Sequence, residues 1–417
     1  MNRRVLRSVM LGLVACLVLS AASASARTTI TIWSWSDAVG QWMADNAAEF
    51  NQSQSDIEVI VEQYPFDGYF DKVKLSVAGG IGPDLVRATV QGTDAPYPGD
   101  FYRPSLVEYM YEQASQLPFY EDFVLESGEV YGIPWVVWPS LLWYNVDLLA
   151  ESGYGQAPTT WDELADMAQK LTRISSDGTI IQSGYAMEGE DFQQVFLAQA
   201  SPDFYKVGDR EVKLSGTGAE DAYQFMLNLK GMNIFDWPAR EWAGDKLAHG
   251  RAAMIFMGSW LLGHMKNFPE INWDVAPQPR PNENAPYGML AVASDLRFSA
   301  GLDEAKRAAG AEFLRFLFEE EQIAEVTQTS GLLPARLEYY QSSTIMHDEN
   351  IQKLLRASEA VLPNSVGWLQ GTAWDAVMES ISSVIYFALD NDVHPAQAMQ
   401  DIEFEAKSRL EAYYSGQ

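Results

Sequence analysis

The sequence predicts an α/β protein built as two lobes, and three observations carry that prediction. Strand and helix patterns alternate from Thr29 to Val86, as a sheet flanked by helices requires. The 417 residues exceed the roughly 100 to 200 usual for one domain. The stretch Tyr131 to Thr172, YGIPWVVWPSLLWYNVDLLAESGYGQAPTTWDELADMAQKLT, joins an aromatic extended segment to a capped helix and reads as a strand crossing between lobes. With 47% hydrophobic residues, no low-complexity run and no internal repeat, both lobes can bury cores.

Residues 1–26 are a targeting segment and lie outside the fold. Arg3, Arg4 and Arg7 form a basic start, Val9 to Leu19 an apolar middle, and Ala24-Ser25-Ala26 a small-residue cleavage site before Arg27. Leu13-Val14-Ala15-Cys16 also resembles a bacterial lipoprotein box, which would retain Cys16 as a lipid anchor. That alternative shortens the apolar region and leaves Leu17-Val18-Leu19 on the mature side, so ordinary secretion is the expectation.

The mature chain opens with a strand, Thr29 to Trp33, a helix around Trp42 to Phe50, and a second strand, Ile57 to Tyr64. A helix from Tyr69 to Ala78 ends at Gly79 and Gly80, and Pro83-Asp84-Leu85-Val86 begins the next strand. The apolar, β-branched run Ile133 to Val146 suits a buried strand. Pro134, Trp135, Trp138 and Pro139 make a poor ladder within it but a plausible ligand wall, because Pro removes a donor and Trp offers a flat apolar face. Trp161, Leu164, Ala165, Ala168 and Leu171 recur at helical spacing. Thr160 and Glu163 form a capping box in which the hydroxyl serves a first-turn donor and the carboxylate reaches back to the cap. Late in the chain, Ala373, Val377, Ile381, Val384 and Ala388 make the buried stripe of another helix.

Charge informs mainly by exclusion. Removing Arg3, Arg4 and Arg7 from the 28 basic residues leaves 25 against 57 acidic ones, a net charge of −32. Such a surface repels nucleic acid and anionic lipid. A cationic ligand such as a polyamine would suit it. The acids are dispersed through the whole chain, however, so a solvated skin is the plainer reading. After cleavage no cysteine remains, which excludes thiol catalysis and any need for a disulfide.

Catalytic signatures are sparse. No Gly-x-Ser-x-Gly elbow, Walker loop or His-Glu-x-x-His occurs, and His249, His264, His347 and His394 are too scattered to suggest zinc. Gly216-Thr217-Gly218 and Gly79-Gly80-Ile81-Gly82 read as turns. Among 57 acidic residues, no pair stands out for glycoside hydrolysis. The expectation is a binding protein without cofactor or metal; a secreted carbohydrate-active enzyme is the rival from another class.

Several motifs, in one order along nearly the whole mature chain, carry a resemblance. They are Tyr131-Gly132-Ile133-Pro134, Tyr144-Asn145 with Asp147-Leu148, and Thr160-Trp161-Asp162-Glu163-Leu164. His249-Gly250-Arg251-Ala252-Ala253-Met254, Met257-Gly258-Ser259-Trp260, Trp273 to Pro279, and Gly331-Leu332-Leu333-Pro334-Ala335-Arg336 complete the set. Together they resemble the extracellular solute-binding proteins of sugar ABC transporters. The resemblance implies a type II-like periplasmic-binding-protein fold, with a ligand cleft between lobes and a multi-segment hinge. The lobes would be 27–138 with 288–338, and 139–287 with 339–417. Hinge crossings would lie near Pro139 to Trp143, Pro281 to Tyr287 and Arg336 to Ser343. The implied protein is a periplasmic monomer that closes on a mono- or short oligosaccharide and hands it to a membrane permease. The same fold could instead hold a polyamine or glycerol phosphate.

Aromatic faces beside polar groups at loops are what a sugar needs, since its C–H patches pack on rings and its hydroxyls need donors and acceptors. Trp35, Ser36 and Asp37 follow the first strand, where an α/β lobe presents its binding loops. Ser36 or Asp37 could equally cap the next helix. Asp37 matches a ligand-binding Asp of maltodextrin-binding relatives. Arg87, near a strand end, could fork onto two hydroxyls or pair with an acid; Asp84 reads as structural. Trp138 falls where those relatives place a ligand carboxylate, a departure that favours stacking and argues against maltodextrin itself. Of Trp135 and Trp143, at least one belongs to the core. The resemblance gives Trp260 and Trp374 stacking roles, although Trp374 could join its helix's buried stripe. Trp368, in a Gly-flanked loop, and Tyr185 with Glu188 complete the candidates.

Overall fold

A computed structural model describes residues 27–89, 101–102, 133–186, 190–205, 210–234, 241–288, 291–299, 301–335, 339–340, 345, 347–362 and 372–415. In chain order these hold β1 (Thr28–Trp35), α1 (Ala38–Ser53), β2 (Ile57–Tyr64), α2 (Tyr69–Ala78), β3 (Leu85–Thr89), β4 (Phe101–Tyr102) and β5 (Ile133–Asn145). Next come α3 (Val146–Glu151), α4 (Trp161–Leu171), β6 (Arg173–Ile174), β7 (Ile180–Gln182), α5 (Glu190–Ala200), α6 (Gly218–Gly231), α7 (Ala243–Ala248) and β8 (Met254–Gly258). The remainder is α8 (Leu261–Met265), β9 (Trp273–Ala276), β10 (Ala291–Ser299), α9 (Glu304–Leu317), α10 (Glu320–Ser330), β11 (Leu333–Pro334), α11 (Glu349–Val361), α12 (Thr372–Asp390) and α13 (Pro395–Ser415). No helix among the described residues is long and apolar enough to cross a membrane.

The expected α/β architecture is present. β1 pairs in parallel with both β2 and β3, so α1 and α2 act as crossovers covering the sheet. Both faces of β1 are buried for that reason. Ile30 and Ile32 enter the main core with Val39, Trp42 and Met43 of α1. Trp33 and Trp35, on the other face, pack with Tyr69 and Val73 of α2 in a separate cluster. β10 then runs antiparallel against β3, and β5 antiparallel against β10.

β5 is the element that organises the molecule. Its first half pairs with β10, from Ile133 opposite Leu296 to Pro139 opposite Ala291, and with β11. Its second half pairs instead with β8, from Ser140 opposite Gly258 to Tyr144 opposite Met254, and with β9. The ladder changes partners between Pro139 and Ser140, so one strand belongs to two sheets.

Local signals explain most boundaries. Asp37 accepts from Gly40 N at 2.7 Å and starts α1. α2 stops where Gly80 adopts φ +69°, a left-handed conformation that glycine enters without a Cβ penalty. The Thr160 hydroxyl accepts from Glu163 N at 3.2 Å. The Glu163 carboxylate, however, reaches Thr159 N at 2.7 Å and Thr159 Oγ1 at 2.8 Å, one residue before the expected cap. Asp84 accepts from Thr31 N at 2.8 Å and from Lys306 Nζ at 2.8 Å, tying β3 to β1 and α9 as a structural residue should.

Candidate ligand-binding site

Two clusters of predicted site residues lie at strand ends. At the end of β1, Asp37 meets Arg87 of β3 at 2.7 Å and 3.1 Å through both guanidinium nitrogens. The Arg87 side chain is 2% exposed and that of Asp37 36%. Arg87 also reaches Ser34 Oγ at 3.3 Å and lays its guanidinium 3.6 Å from the Trp35 ring centroid. Burial pulls the Arg87 guanidinium below its ordinary value, and the neighbouring Asp37 carboxylate opposes that pull. The structure thus directs Arg87 inward, onto Asp37 and Trp35. Trp35 is buried against Tyr69, ring centroids 5.5 Å apart. Ser36 is exposed and Asp37 partly so, and these two alone of this cluster present surface.

The second cluster lies where β5 changes sheets. Trp138, half-buried, stands just before the crossing. Gly258 ends β8 opposite Ser140. A Cβ placed on Gly258 would sit 2.3 Å from Trp260 Nε1 and 3.3 Å from Trp138 Cδ1, so both indoles press on one glycine. Trp260 is 39% exposed. Its plane lies 5° from that of Trp242, centroids 6.1 Å apart, and His264 meets Trp242 edge-on at 4.7 Å. His264 Nε2 in turn lies 3.1 Å from Asp245 Oδ1. Trp138, Trp242 and Trp260 therefore form one aromatic wall from β5, the start of α7 and the turn into α8.

The wall is held from behind. Ser259 N donates to Pro139 O at 2.9 Å, and Trp143 Nε1 donates to Met257 O at 3.1 Å. Gly331, at φ +79°, closes α10 so near Ser259 O that a Cβ there would stand 2.3 Å away. The segment leading into β11 thus supports the turn that carries Trp260.

Other candidates fall elsewhere. Tyr185 is 0% exposed and packs edge-on against Phe256 at 5.5 Å. Burial pushes its phenol well up, and the structure makes it core rather than surface. Trp135, read from the sequence as part of a ligand wall, is also core, stacked on Trp42 at 5.3 Å and 10°. The pairing skips Trp135 between Pro134 and Val136, a bulge that turns this indole inward. Trp143 is buried too. Glu188 and Trp368 lie outside the described residues; Trp374 sits in the first turn of α12, with its side chain outside them. Trp242 was not anticipated. Its sequence signal is slight: Gly244, whose Cβ would lie 2.6 Å from the Trp242 ring, makes room for the indole. No group of three His, Cys, Asp or Glu among the described residues could hold a metal.

Comparison with known proteins shows the family and the fold. The family description "bacterial extracellular solute-binding protein" matches residues 46–353. The chain belongs to that family. An sn-glycerol-3-phosphate-binding periplasmic protein of Salmonella typhimurium is 25% identical over 365 residues, covering 81% of this chain and 80% of its own. Among solved structures, an ABC transporter solute-binding protein from Thermotoga lettingae bound with α-D-tagatose superposes with a TM-score of 0.77 at 20% identity, over 92% of this chain and 100% of that one. The maltose/maltodextrin-binding domain of Bdellovibrio bacteriovorus bound to maltotriose gives 0.75 at 20% identity, with the same coverage. These likenesses establish the two-lobed solute-binding fold. The relatives are named as binding proteins rather than enzymes, and the family is extracellular.

Proposed function

We propose that this solute-binding protein takes up a mono- or short oligosaccharide between two lobes and delivers it to an ABC permease, without chemical change to the ligand. It acts as a periplasmic monomer after removal of residues 1–26. The observation that carries this reading is the wall of Trp138 and Trp260 over Gly258, with Trp242 stacked behind. Indole faces suit the C–H patches of a sugar ring. The lobes are 27–138 with 288–338, and 139–287 with 339–417. The partner change in β5 at Pro139 and Ser140 supports one hinge crossing. Contacts made by both lobes exist only in the closed form, so ligand shifts the population toward it. Ser36 and Trp368 remain proposed contacts on their loop positions, and Asp37, Trp374 and Glu188 on the resemblance. Arg87 and Trp35 support the loop from below, and Tyr185 supports β8.

A thermal-shift screen against mono- and oligosaccharides, polyamines and glycerol phosphate tests this. A ligand at a hundred times its dissociation constant adds about 2.7 kcal/mol of stability. A shift with one sugar class, abolished by Trp260→Ala and with the sugar recovered unchanged, is expected. Product formation would make the protein an enzyme, and a shift with charged ligands only would remove the carbohydrate. The second of these has its own support in the glycerol phosphate named for the Salmonella relative. Its mark would be an affinity that falls steeply with salt.

A further inference from the structure

A concavity lies away from the tryptophan wall. It has a volume of about 410 Å³, between the end of α8, β9 and the first turn of α11, and Lys266, Glu270, Asn272, Trp273, Asn350 and Lys353 line it. Trp260 precedes α8 and Lys266 follows it, so the two places are separated by six residues, about 9 Å of helical rise.

The pocket is unusual in its charge. Acidic residues outnumber basic ones by 57 to 28 in this chain, yet two lysines line this recess with one acidic residue, the exposed Glu270. Lys353 Nζ donates to Trp273 O at 2.7 Å and stands 4.3 Å from the Trp273 ring centroid. Lys266 Nζ donates to Gln328 O, at the end of α10. Among the described residues neither lysine has a carboxylate partner. Each ammonium carries three donors and uses one on a carbonyl. Those carbonyls hold the two side chains in place, which lowers the entropy a ligand must remove.

Other groups at the recess already have partners. Asp348 accepts from Asn350 N at 2.9 Å and Ile351 N at 3.1 Å, so its carboxylate caps α11, and the lysines rather than the helix end supply the positive charge here. The Asn272 amide donates to Asp147 Oδ1 at 2.8 Å, so this lining side chain already has a partner. Trp273 supplies an apolar floor.

We infer that this pocket is a second ligand site, for a small oxyanion such as a phosphate or its ester, held between Lys266 and Lys353. The site is independent of the sugar reading. It places an anion on the second sheet, beside the contact from Lys266 to Gln328 of α10.

Phosphorus NMR titration of the purified protein with inorganic phosphate and with glycerol phosphate, at constant ionic strength set by chloride, tests it. Saturable line broadening is expected, weakened about tenfold or more in Lys353→Met and in Lys266→Met, and retained in Trp260→Ala. Lys266 is exposed, so Lys266→Met keeps the test alive if Lys353→Met fails to fold. Broadening by phosphate alone marks an inorganic-ion site; broadening by both marks recognition of the phosphoryl group of an ester. No saturable effect in the unaltered protein, or one unchanged in both lysine variants, overturns the proposal. So does broadening by glycerol phosphate that only Trp260→Ala removes, which would place the anion at the tryptophan wall.

Discussion

Asp37 and Arg87 grip each other through two contacts, 2.7 Å and 3.1 Å, while the guanidinium stands 3.6 Å from the Trp35 ring centroid. One carboxylate therefore starts α1, neutralises a buried cation and fixes the loop after β1. Asp37→Asn keeps the cap but leaves Arg87 without a counter-charge. Breaking a buried pair costs about 3–5 kcal/mol, and the partial exposure of Asp37 puts this one toward or below the lower end. Urea unfolding should show that loss. An unchanged midpoint with weakened ligand affinity would instead make Asp37 a ligand contact and not a structural one.

Trp135 and Trp138 should separate stability from binding. Trp135→Ala removes an indole stacked on Trp42 in the core, at about 3–5 kcal/mol. Trp138→Ala removes a half-buried indole of the wall, so it should cost less stability and more affinity. Denaturation and ligand titration of the two variants give the comparison; equal stability losses would contradict it.

Gly258→Ala introduces a methyl group 2.3 Å from Trp260 Nε1. The obstacle is an indole 39% exposed, which can move, so the fold should survive. The wall should not. Sugar affinity should fall about tenfold, roughly 1.4 kcal/mol, with melting temperature little changed.

Alkaline pH should loosen the ladder between β5 and β9. Tyr144 faces Asp274 there, and burial followed by the Asp274 carboxylate pushes its phenol up from 10.0 to about 12. A raised pKa means the neutral form is favoured by folding. Its contribution is complete below pH 10 and lost as pH rises through about 12. Ultraviolet titration should show Tyr144 ionising late, beside Tyr64, which burial and then Glu62 also push up to about 12. Tyr144→Phe should remove one phenol from that late transition and flatten the stability loss in the same window.

How far the chain could be read ahead depended on the reach of each signal. The helix Tyr69–Ala78 ends where Gly79 and Gly80 predict, because a left-handed glycine stops a helix by itself. The Thr160 cap was legible for the same reason, while the Glu163 carboxylate chose Thr159, a preference of side-chain geometry rather than residue type. The three tryptophans of β5 could not be sorted, because a bulge at Trp135 breaks the alternation on which such sorting rests.

By itself the sequence determined the fold class, the order of elements, the strand that passes between sheets, and the family likeness. Those depend on hydrophobic period, caps and glycines, which act over a few residues. Tertiary structure alone decided which polar and aromatic groups are spoken for. Arg87 is buried because Asp37, fifty residues earlier, closes on it, and Trp242 joins the wall because the chain returns to set Trp260 against it. Such assignments follow from contacts between distant segments, and no local preference encodes which partner a side chain meets once the sheets have formed.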